Sequence, residues 1–507
     1  MTPILLSLLA GALLYGSFPP HDHGALAFVA LVPLFRAIRG RGKAARFALG
    51  LIAGNAAYTA AVAASILRAA NEYFDHPLWV DAGFALVAPQ IYGAAYLGLF
   101  AVLAAGELKA SPTRRVLTIP AIWVAVELLR SRLWHGAPWL LLAHSQHERL
   151  WLIQLADFLG TAGIAFVVVL VNVLVDHLVA VVQQREPLRA TAVSMVAVVL
   201  GAAGVYGGVQ LREWNRGGEA LRIGMVQPAL PGEWRARLIG VPRSLHRLRE
   251  LSARLAAENL DLLIWPENAL GFSLSGNDDL GRRVAGTAQG AATLLGAPRV
   301  VEAADGGGRF RNTAFLVDAD GAVRTYYDKI RLTPYAEYLP LRAWGFGRRG
   351  VAPGDRYEPG DELTLFPAGA HYFATMICFE AVYAELARAF VARGAEFLVN
   401  LSNDDWFGDE AAVQQHFVAA LFRAVENRRY LVRVTNSGQS GVIDPRGVVV
   451  RKFDLNLPVA AVTSVVPIRE VSFYTRWGDV FAWSCVAIAL LAKASRMNWF
   501  ARDLTAY

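Results

Sequence analysis

The residues of this sequence best suited to covalent chemistry are a glutamate, a lysine and a cysteine, each at the end of an apolar run. Cys378 closes His371-Tyr-Phe-Ala-Thr-Met-Ile377 and is followed at once by Phe379-Glu380. Glu267 stands in Trp265-Pro-Glu267-Asn268, after Leu260-Asp-Leu-Leu-Ile264, and Lys329 comes just after the run Ala322 to Tyr327. A thiol is mostly protonated at neutral pH and needs a base or a cation beside it to attack as thiolate. A glutamate partly removed from water can take that proton and return it to a leaving group. A lysine can hold the thiolate and then the oxyanion of a tetrahedral intermediate. Taken singly, each has a plainer reading: a glutamate after a strand is a surface acid, and a lysine is solvated. Cys485, the one other cysteine, lies in a separate hydrophobic stretch, so a disulfide framework is not expected.

The elements that must position these residues are legible in the pattern. Leu221 to Gln227, Leu260 to Ile264, the Cys378 run, Glu396 to Leu401 and Leu431 to Thr435 read as strands. Thr313 to Val317 and Ala322 to Tyr327 flank Asp318-Ala-Asp-Gly321, a hairpin signature. Ser440 to Ile443 and Val448 to Arg451, joined at Asp444-Pro-Arg-Gly447, close the series. Helices are predicted over Pro242 to Asn259 and about 380–393, and strands with helices between them predict a layered α/β domain.

That domain is set among apolar segments. The 507 residues are 55% hydrophobic and 18% charged, with a mean hydropathy of +0.35, rare for a soluble enzyme of this length. A bilayer core takes roughly 20 apolar residues per helix. The candidate spans are 3–18, 24–37, 45–67, 82–106, 115–134, 159–182, 190–210 and 477–493. The expected division is a membrane domain at 1–210 with about seven helices, a globular domain at 211–476, and a last helix with its tail at 477–507. Arg36, Arg39, Arg41, Lys43 and Arg46 follow the second span, Lys109, Arg114 and Arg115 the fourth, Arg185 and Arg189 the sixth, and Lys493, Arg496 and Arg502 the last. Loops 19–23 and 68–81 instead carry Asp22, Glu72, Asp75 and Asp81 against Arg68 alone. By the positive-inside rule both termini are cytoplasmic and the globular domain lies outside. The net charge of +7 is therefore read as topology, not as a nucleic-acid footprint. Segment 135–158 is apolar but too short to span. It reads equally as a re-entrant stretch with Trp139 and Trp151 at headgroup depth or as a covered outer loop. Glu127 and Arg130, three apart, are read as neutralising each other near a helix end.

Trp265-Pro-Glu267, Tyr327-Asp-Lys329-Ile-Arg-Leu and Ile377-Cys378-Phe-Glu380, in that order, resemble the glutamate–lysine–cysteine signature of the nitrilase (carbon–nitrogen hydrolase) superfamily. With spans on both sides of that domain, the chain is similar to the bacterial apolipoprotein N-acyltransferase family. Gly224-Met-Val-Gln-Pro228, Arg311-Asn-Thr313, Leu332-Thr-Pro-Tyr-Ala-Glu337-Tyr-Leu-Pro340, Asn400-Leu-Ser-Asn-Asp-Asp-Trp-Phe-Gly408, Phe473-Tyr-Thr-Arg476 and Pro138-Trp139-Leu agree with it. The resemblance implies an αββα sandwich and acyl transfer from a phospholipid, typically phosphatidylethanolamine, to the α-amino group of a lipoprotein's N-terminal diacylglyceryl-cysteine. It implies a ping-pong thioester route with Cys378 as nucleophile, Glu267 as base, and Lys329 with the Phe379 N–H at the oxyanion. Neither cofactor nor metal is implied, and a monomer in the bacterial inner membrane is expected.

The resemblance also marks supporting positions. Glu337 either orients Lys329 or transfers a proton, and Glu380 is structural or positions substrate. Phe379 stands where many members carry tyrosine, so a hydroxyl role is absent here. Trp234 lines an acyl channel or simply packs, and Asn312 orders the pocket. The loop Leu339 to Pro359, with Trp344, Phe346, Arg348 and Arg349 among glycines, reads as a lid or as a long surface loop. His21 and His23 have no further ligand in view, and His416 is read as a structural helix residue. A membrane-tethered carbon–nitrogen hydrolase would use the same three residues with water as second nucleophile. A transporter or receptor with a degenerate enzyme domain would not need them intact.

Overall fold

Apolar segments with helical length build the first half of the molecule and period-two strands the second. The computed structural model describes residues 1–69, 78–133, 136–212, 218–230, 241–271, 273–274, 278–288, 290–302, 308–334, 337–338 and 357–504. Trp234 and the loop with Trp344, Phe346, Arg348 and Arg349 lie outside the described residues. The first half comprises α1 (Pro3–Gly16), a 3₁₀ turn at Gly24–Phe28 leading to α2 (Leu31–Ile38), α3 (Lys43–Ala69), α4 (Leu78–Pro89), α5 (Ala95–Glu107), α6 (Pro112–Arg132), α7 (Leu150–Ile153), α8 (Ala156–Val182) and α9 (Ala190–Arg212). A π turn at Gln90–Ala94 joins α4 to α5. Each predicted span falls on helix. Among the described residues Ala85–Glu107, Ala156–Val182 and Ala190–Arg212 are long and apolar enough to cross a membrane, while Pro3–Gly16 and Gly24–Ile38 are apolar but shorter.

The loop arginines used to read orientation converge on three carboxylates, of which Asp176 and Glu107 are buried. Asp176 meets Arg39 at 2.6 Å and Arg36 at 4.0 Å. Glu107 meets Arg114 at 2.8 Å and Arg496 at 3.5 Å, and Glu186 meets Arg115 at 2.7 Å. The ends of α2, α5 and α8 and the start of α6 are thus joined by charge as well as by packing.

The second half holds β1 (Leu221–Gln227), α10 (Val241–Ala253), β2 (Leu262–Ile264), α11 (Asp278–Ala285), β3 (Ala292–Glu302), β4 (Gly308–Val317) and β5 (Val323–Asp328). It continues with β6 (Phe366–Ala368), β7 (His371–Ile377), α12 (Ala384–Ala392), β8 (Phe397–Ser402), α13 (Glu410–Asn427), β9 (Leu431–Thr435), β10 (Gly441–Ile443), β11 (Val449–Lys452), β12 (Val459–Val465) and α14 (Phe473–Trp477), and α15 (Val480–Leu504) ends the fold. Two six-stranded sheets form, in the orders β12-β1-β2-β3-β4-β5 and β11-β10-β9-β8-β7-β6. Strands β1-β2-β3 in one sheet and β7-β8-β9 in the other are parallel. Side chains alternate between two cores, as strand geometry requires. Val226, Leu263, Leu295, Phe315 and Val317 pack with Leu248 and Leu251 of α10 and Val284 of α11. Their neighbours Met225, Ile264, Leu294, Ala314 and Leu316 share a core with Phe373, Met376 and Leu398 of the other sheet. The result is a nitrilase-like α/β sandwich.

Several expectations change. Strands β3, β6 and β12 are not predicted from the sequence: Gly296 and Pro298 interrupt the first, the three residues of the second are too few to show a pattern, and the third lacks clean alternation. The helix expected over about 380–393 starts later: Cys378–Val382 is a 3₁₀ turn and α12 follows. Protein covers the first part of segment 135–158, while Trp151 is 37% exposed. Residues Trp139 to Gln146 are buried, Leu142–Gln146 is a 3₁₀ turn, and the Gln146 amide donates to the Gly24 carbonyl at 2.9 Å. Trp139, at 5% exposure, is no headgroup anchor. Arg130 does more than neutralise Glu127 at 3.7 Å: it donates to the Tyr58 hydroxyl at 3.0 Å, while Glu127 accepts from the Leu142 N–H at 2.8 Å. That pair fastens the covered loop to α6 and α3. Arg428 links the sandwich to the helices, donating to Asp157 at 2.8 Å and Gln154 at 2.6 Å.

Candidate active site

The parallel strands end where the chemistry-bearing side chains gather. Ligands of α/β sheets bind beyond the carboxyl ends of parallel strands, because the chain turns away there and leaves a crevice. Glu267 follows β2, Cys378 follows β7, and Lys329 follows β5. Each is buried, at 5%, 3% and 1% exposure respectively.

Local backbone chemistry sets each one. The Trp265-Pro-Glu loop lies against β3, with Gly296 N–H donating to the Pro266 carbonyl at 3.1 Å. A Cβ on Gly296 would stand 2.6 Å from Glu267 Cα and from the Asn268 nitrogen, so only glycine allows this approach. Lys329 is held by its own N–H on the Asn312 carbonyl at 2.8 Å and by Gly360 N–H on its carbonyl at 2.8 Å. Cys378 adopts φ +52°, a left-handed conformation costly for a side chain with a Cβ. Glu380 offsets that cost. Its carboxylate accepts from the Ile377 N–H at 2.8 Å, the Tyr327 hydroxyl at 2.8 Å, the Ile330 N–H at 2.8 Å and the Arg331 N–H at 3.0 Å. It thereby ties the cysteine turn to the loop after Lys329. Burial raises its carboxyl to about 7 even though the Arg331 and Ile377 N–H groups, Lys329 and the Tyr327 hydroxyl all favour the carboxylate.

The groups meet in one cluster. The Cys378 thiol lies close enough to Glu267 and Lys329 for both charges to act on it. Lys329 Nζ lies 3.8 Å from Glu267 Oε1 and 2.8 Å from Glu337 Oε2, and donates to Thr333 Oγ1 at 3.1 Å. The Asn312 amide donates to both glutamates at 2.7 Å, and Glu337 also accepts from the Thr333 N–H at 2.7 Å. Burial raises the Glu267 carboxyl, opposed by Lys329 and assisted by Glu337. Burial alone would lower Lys329, yet Glu337 and Glu267 outweigh it and keep the ammonium charged. Burial and the Glu267 charge push the Cys378 thiol up, so it rests protonated beside Glu267. A neutral thiol, a carboxylate that accepts its proton and a fixed cation can together carry out nucleophilic acyl transfer.

Trp139 comes from the covered loop of the helical half. Its ring stacks on Phe379 at 5.7 Å between centroids and 15° between planes, and its indole N–H donates to Gln415 at 2.9 Å. The structure therefore brings Glu267, Lys329, Cys378, Glu337, Phe379, Glu380, Asn312 and Trp139 to one region.

Sequence reasoning missed what lies behind the nucleophile. His416, set aside as structural, has Nε2 3.1 Å from the Cys378 carbonyl, and Asn400 donates to the same oxygen at 3.3 Å. Arg433 contacts His416 Nδ1 at 3.0 Å, donates to Asn400 Oδ1, and pairs with Asp404 at 2.8 Å. All are buried. The available signal was Arg433 itself, a charge inside the otherwise uncharged strand Leu-Val-Arg-Val-Thr. Burial and Arg433 lower the His416 imidazole, so it is neutral. Burial would raise Asp404, but Arg433 and His416 hold it well below the usual carboxylate range.

Residues 10–174 match the family model of the apolipoprotein N-acyltransferase N-terminal domain, and residues 222–461 that of carbon-nitrogen hydrolases. The chain is 32% identical over 501 residues to the apolipoprotein N-acyltransferase of Geobacter metallireducens, covering 97% of this chain and 94% of that one. It is 30% identical over 503 residues to the one of Gloeobacter violaceus, covering 96% and 93%. Among solved structures, an amidase from Nesterenkonia sp. aligns at 21% identity and a TM-score of 0.38, over 50% of this chain and 93% of that chain.

Proposed function

The chain belongs to the apolipoprotein N-acyltransferase family, and from that premise we propose that Cys378 carries the fatty acyl chain as a thioester between a phospholipid donor and a lipoprotein acceptor. The protein is an acyltransferase of lipoprotein maturation and an inner-membrane protein of bacteria. What supports a lipid donor is the Trp139–Phe379 stack. It joins the residue beside the nucleophile to a loop of the helical half, so the site adjoins the part of the molecule that faces lipid.

Cys378 Sγ attacks the ester carbonyl and its proton passes to Glu267. Lys329 Nζ and the Phe379 N–H hold the oxyanion. The ester C–O bond breaks, and Glu267 returns the proton to the departing lysophospholipid oxygen. The neutral α-amine of the diacylglyceryl-cysteine then attacks the thioester and gives its proton to Glu267. The C–S bond breaks and the thiolate takes that proton back. Phosphatidylethanolamine is the donor and the active species is a monomer. Glu337 anchors Lys329, and Asn312 aligns both carboxylates.

Residues 1–210 and 477–507 form the membrane part, with eight spans and both termini cytoplasmic, and 211–476 the extracytoplasmic domain. The convergence of loop arginines on Asp176, Glu107 and Glu186 supports this arrangement, since it gathers the predicted cytoplasmic loops.

The test is transfer of a labelled acyl chain from phosphatidylethanolamine to a diacylated lipoprotein peptide. Glu267→Gln, which keeps the shape but cannot accept a proton, is expected to slow transfer by roughly 100-fold or more. Transfer at the wild-type rate would refute the assigned base.

A further inference from the structure

We infer that His416 and Asn400, with Arg433 behind both, set the strength of the oxyanion donor at the Cys378–Phe379 peptide. The inference rests on the reading of Cys378 as nucleophile and of the Phe379 N–H as oxyanion donor. The two ends of that peptide are one planar unit, with the Cys378 C=O and the Phe379 N–H pointing in opposite directions. As the second residue of its 3₁₀ turn, Phe379 has an N–H that the turn itself does not pair.

The carbonyl end is gripped twice. His416 Nε2 lies 3.1 Å from the Cys378 oxygen and Asn400 Nδ2 3.3 Å from it. His416 Nδ1 lies between the Arg433 guanidinium at 3.0 Å and Asp404 Oδ1 at 3.1 Å. Because the Cys378 carbonyl accepts only, the one proton of the neutral ring is placed on Nε2, and Nδ1 takes the Arg433 donor. Arg433 Nη1 donates to Asn400 Oδ1. One guanidinium thus backs both donors. Hydrogen bonds in such a chain polarise one another, most of all at low dielectric. Density drawn to the Cys378 oxygen leaves the Phe379 N–H a stronger donor toward a developing oxyanion. Asp404, 2.8 Å from Arg433, supplies the counter-charge that a buried guanidinium requires. The two bonds also fix a peptide that starts from a strained residue at φ +52°. His416 and Asn400 act through the peptide, so they are positioning residues.

Two rates on the purified full-length protein separate this from a structural role. One is acyl-enzyme formation from phosphatidylethanolamine in detergent micelles. The other is alkylation of Cys378 by iodoacetamide, which displaces iodide at a saturated carbon and forms no oxyanion. His416→Gln keeps an amide nitrogen near the Nε2 position, whereas His416→Asn moves it to the Nδ1 position and leaves the carbonyl one donor short. The Asn variant is expected to acylate about 10- to 100-fold more slowly, with the Gln variant and both alkylation rates within about threefold of wild type. Asn400→Ala, which removes the other donor and leaves His416 in place, is expected to behave like His416→Asn. Acylation at the wild-type rate in both donor-deleting variants would overturn the inference, and so would an equal fall in acylation and alkylation. A wild-type protein that is alkylated but never acylated would instead refute the nucleophile reading on which the inference stands.

Discussion

Glu267 and Glu337 share one amide and one cation, yet their surroundings separate their roles. Lys329 sits 1.0 Å nearer to Glu337, at 2.8 Å against 3.8 Å, which favours the proposed division with Glu337 as anchor and Glu267 as the group that trades a proton with the thiol. Environments that push paired carboxyl groups apart are how one site assigns acid–base work. Burial, then Glu337, keep Glu267 above the ordinary 4.5. Only its carboxylate accepts a proton, so acylation is retained above that raised value and falls as pH drops through it. Glu337→Gln removes a neighbouring negative charge, which lowers the Glu267 pKa. The acid limb of the rate profile is then expected to move to lower pH, with a rate about 100-fold down because the ammonium loses its anchor. A limb that stays in place would assign Glu337 a different role.

At the scale of elements, three loops from two sheets must arrive together, and close backbone contact is what makes them do so. Gly296 of β3 lets the Glu267 loop approach to a distance that a Cβ would forbid. Gly296→Ala is expected to destabilise the fold by about 1–3 kcal/mol, the usual cost of overpacking. It should slow acyl-enzyme formation by about 100-fold, since a misplacement of about 1 Å is that costly. Unfolding and single-turnover rates measured together check this. A rate that follows stability alone would show that the loop can relax. The three loop ends were legible in sequence because an apolar run followed by Pro-Glu, Cys-Phe or Asp-Lys advertises a buried strand and its end. Gly296 was not, since a glycine and Pro298 inside β3 hid the strand that uses them. Nor was the grip on the Cys378 carbonyl, because Asn400, His416 and Arg433 come from three elements that only the folded sheet brings side by side.

The whole molecule joins a sandwich to a helical bundle through polar contacts that neither half could leave unpaired. Arg428 reaches Asp157 and Gln154, and Trp139 reaches Gln415, which in turn donates to the Pro19 carbonyl at 3.1 Å. The apolar helices were readable from hydropathy; the burial of Trp139 to Gln146 inside protein was not, because apolar residues buried by protein and by lipid look alike in sequence. The proposed topology predicts that a cysteine at Asp320, on the sandwich surface, reacts with a membrane-impermeant maleimide in spheroplasts. One at Lys109 should react only after the membrane is opened. The opposite pattern would invert the arrangement.

The central claim is a thioester on Cys378, and the most direct measurement is the intact mass of the purified protein after exposure to phosphatidylethanolamine alone. The account predicts a gain of one fatty acyl chain that hydroxylamine removes, absent from Cys378→Ser after the same exposure. Release of lysophospholipid with no acyl chain on the wild-type protein would mean that water resolves the intermediate. The absence of both the adduct and lysophospholipid would contradict the claim outright.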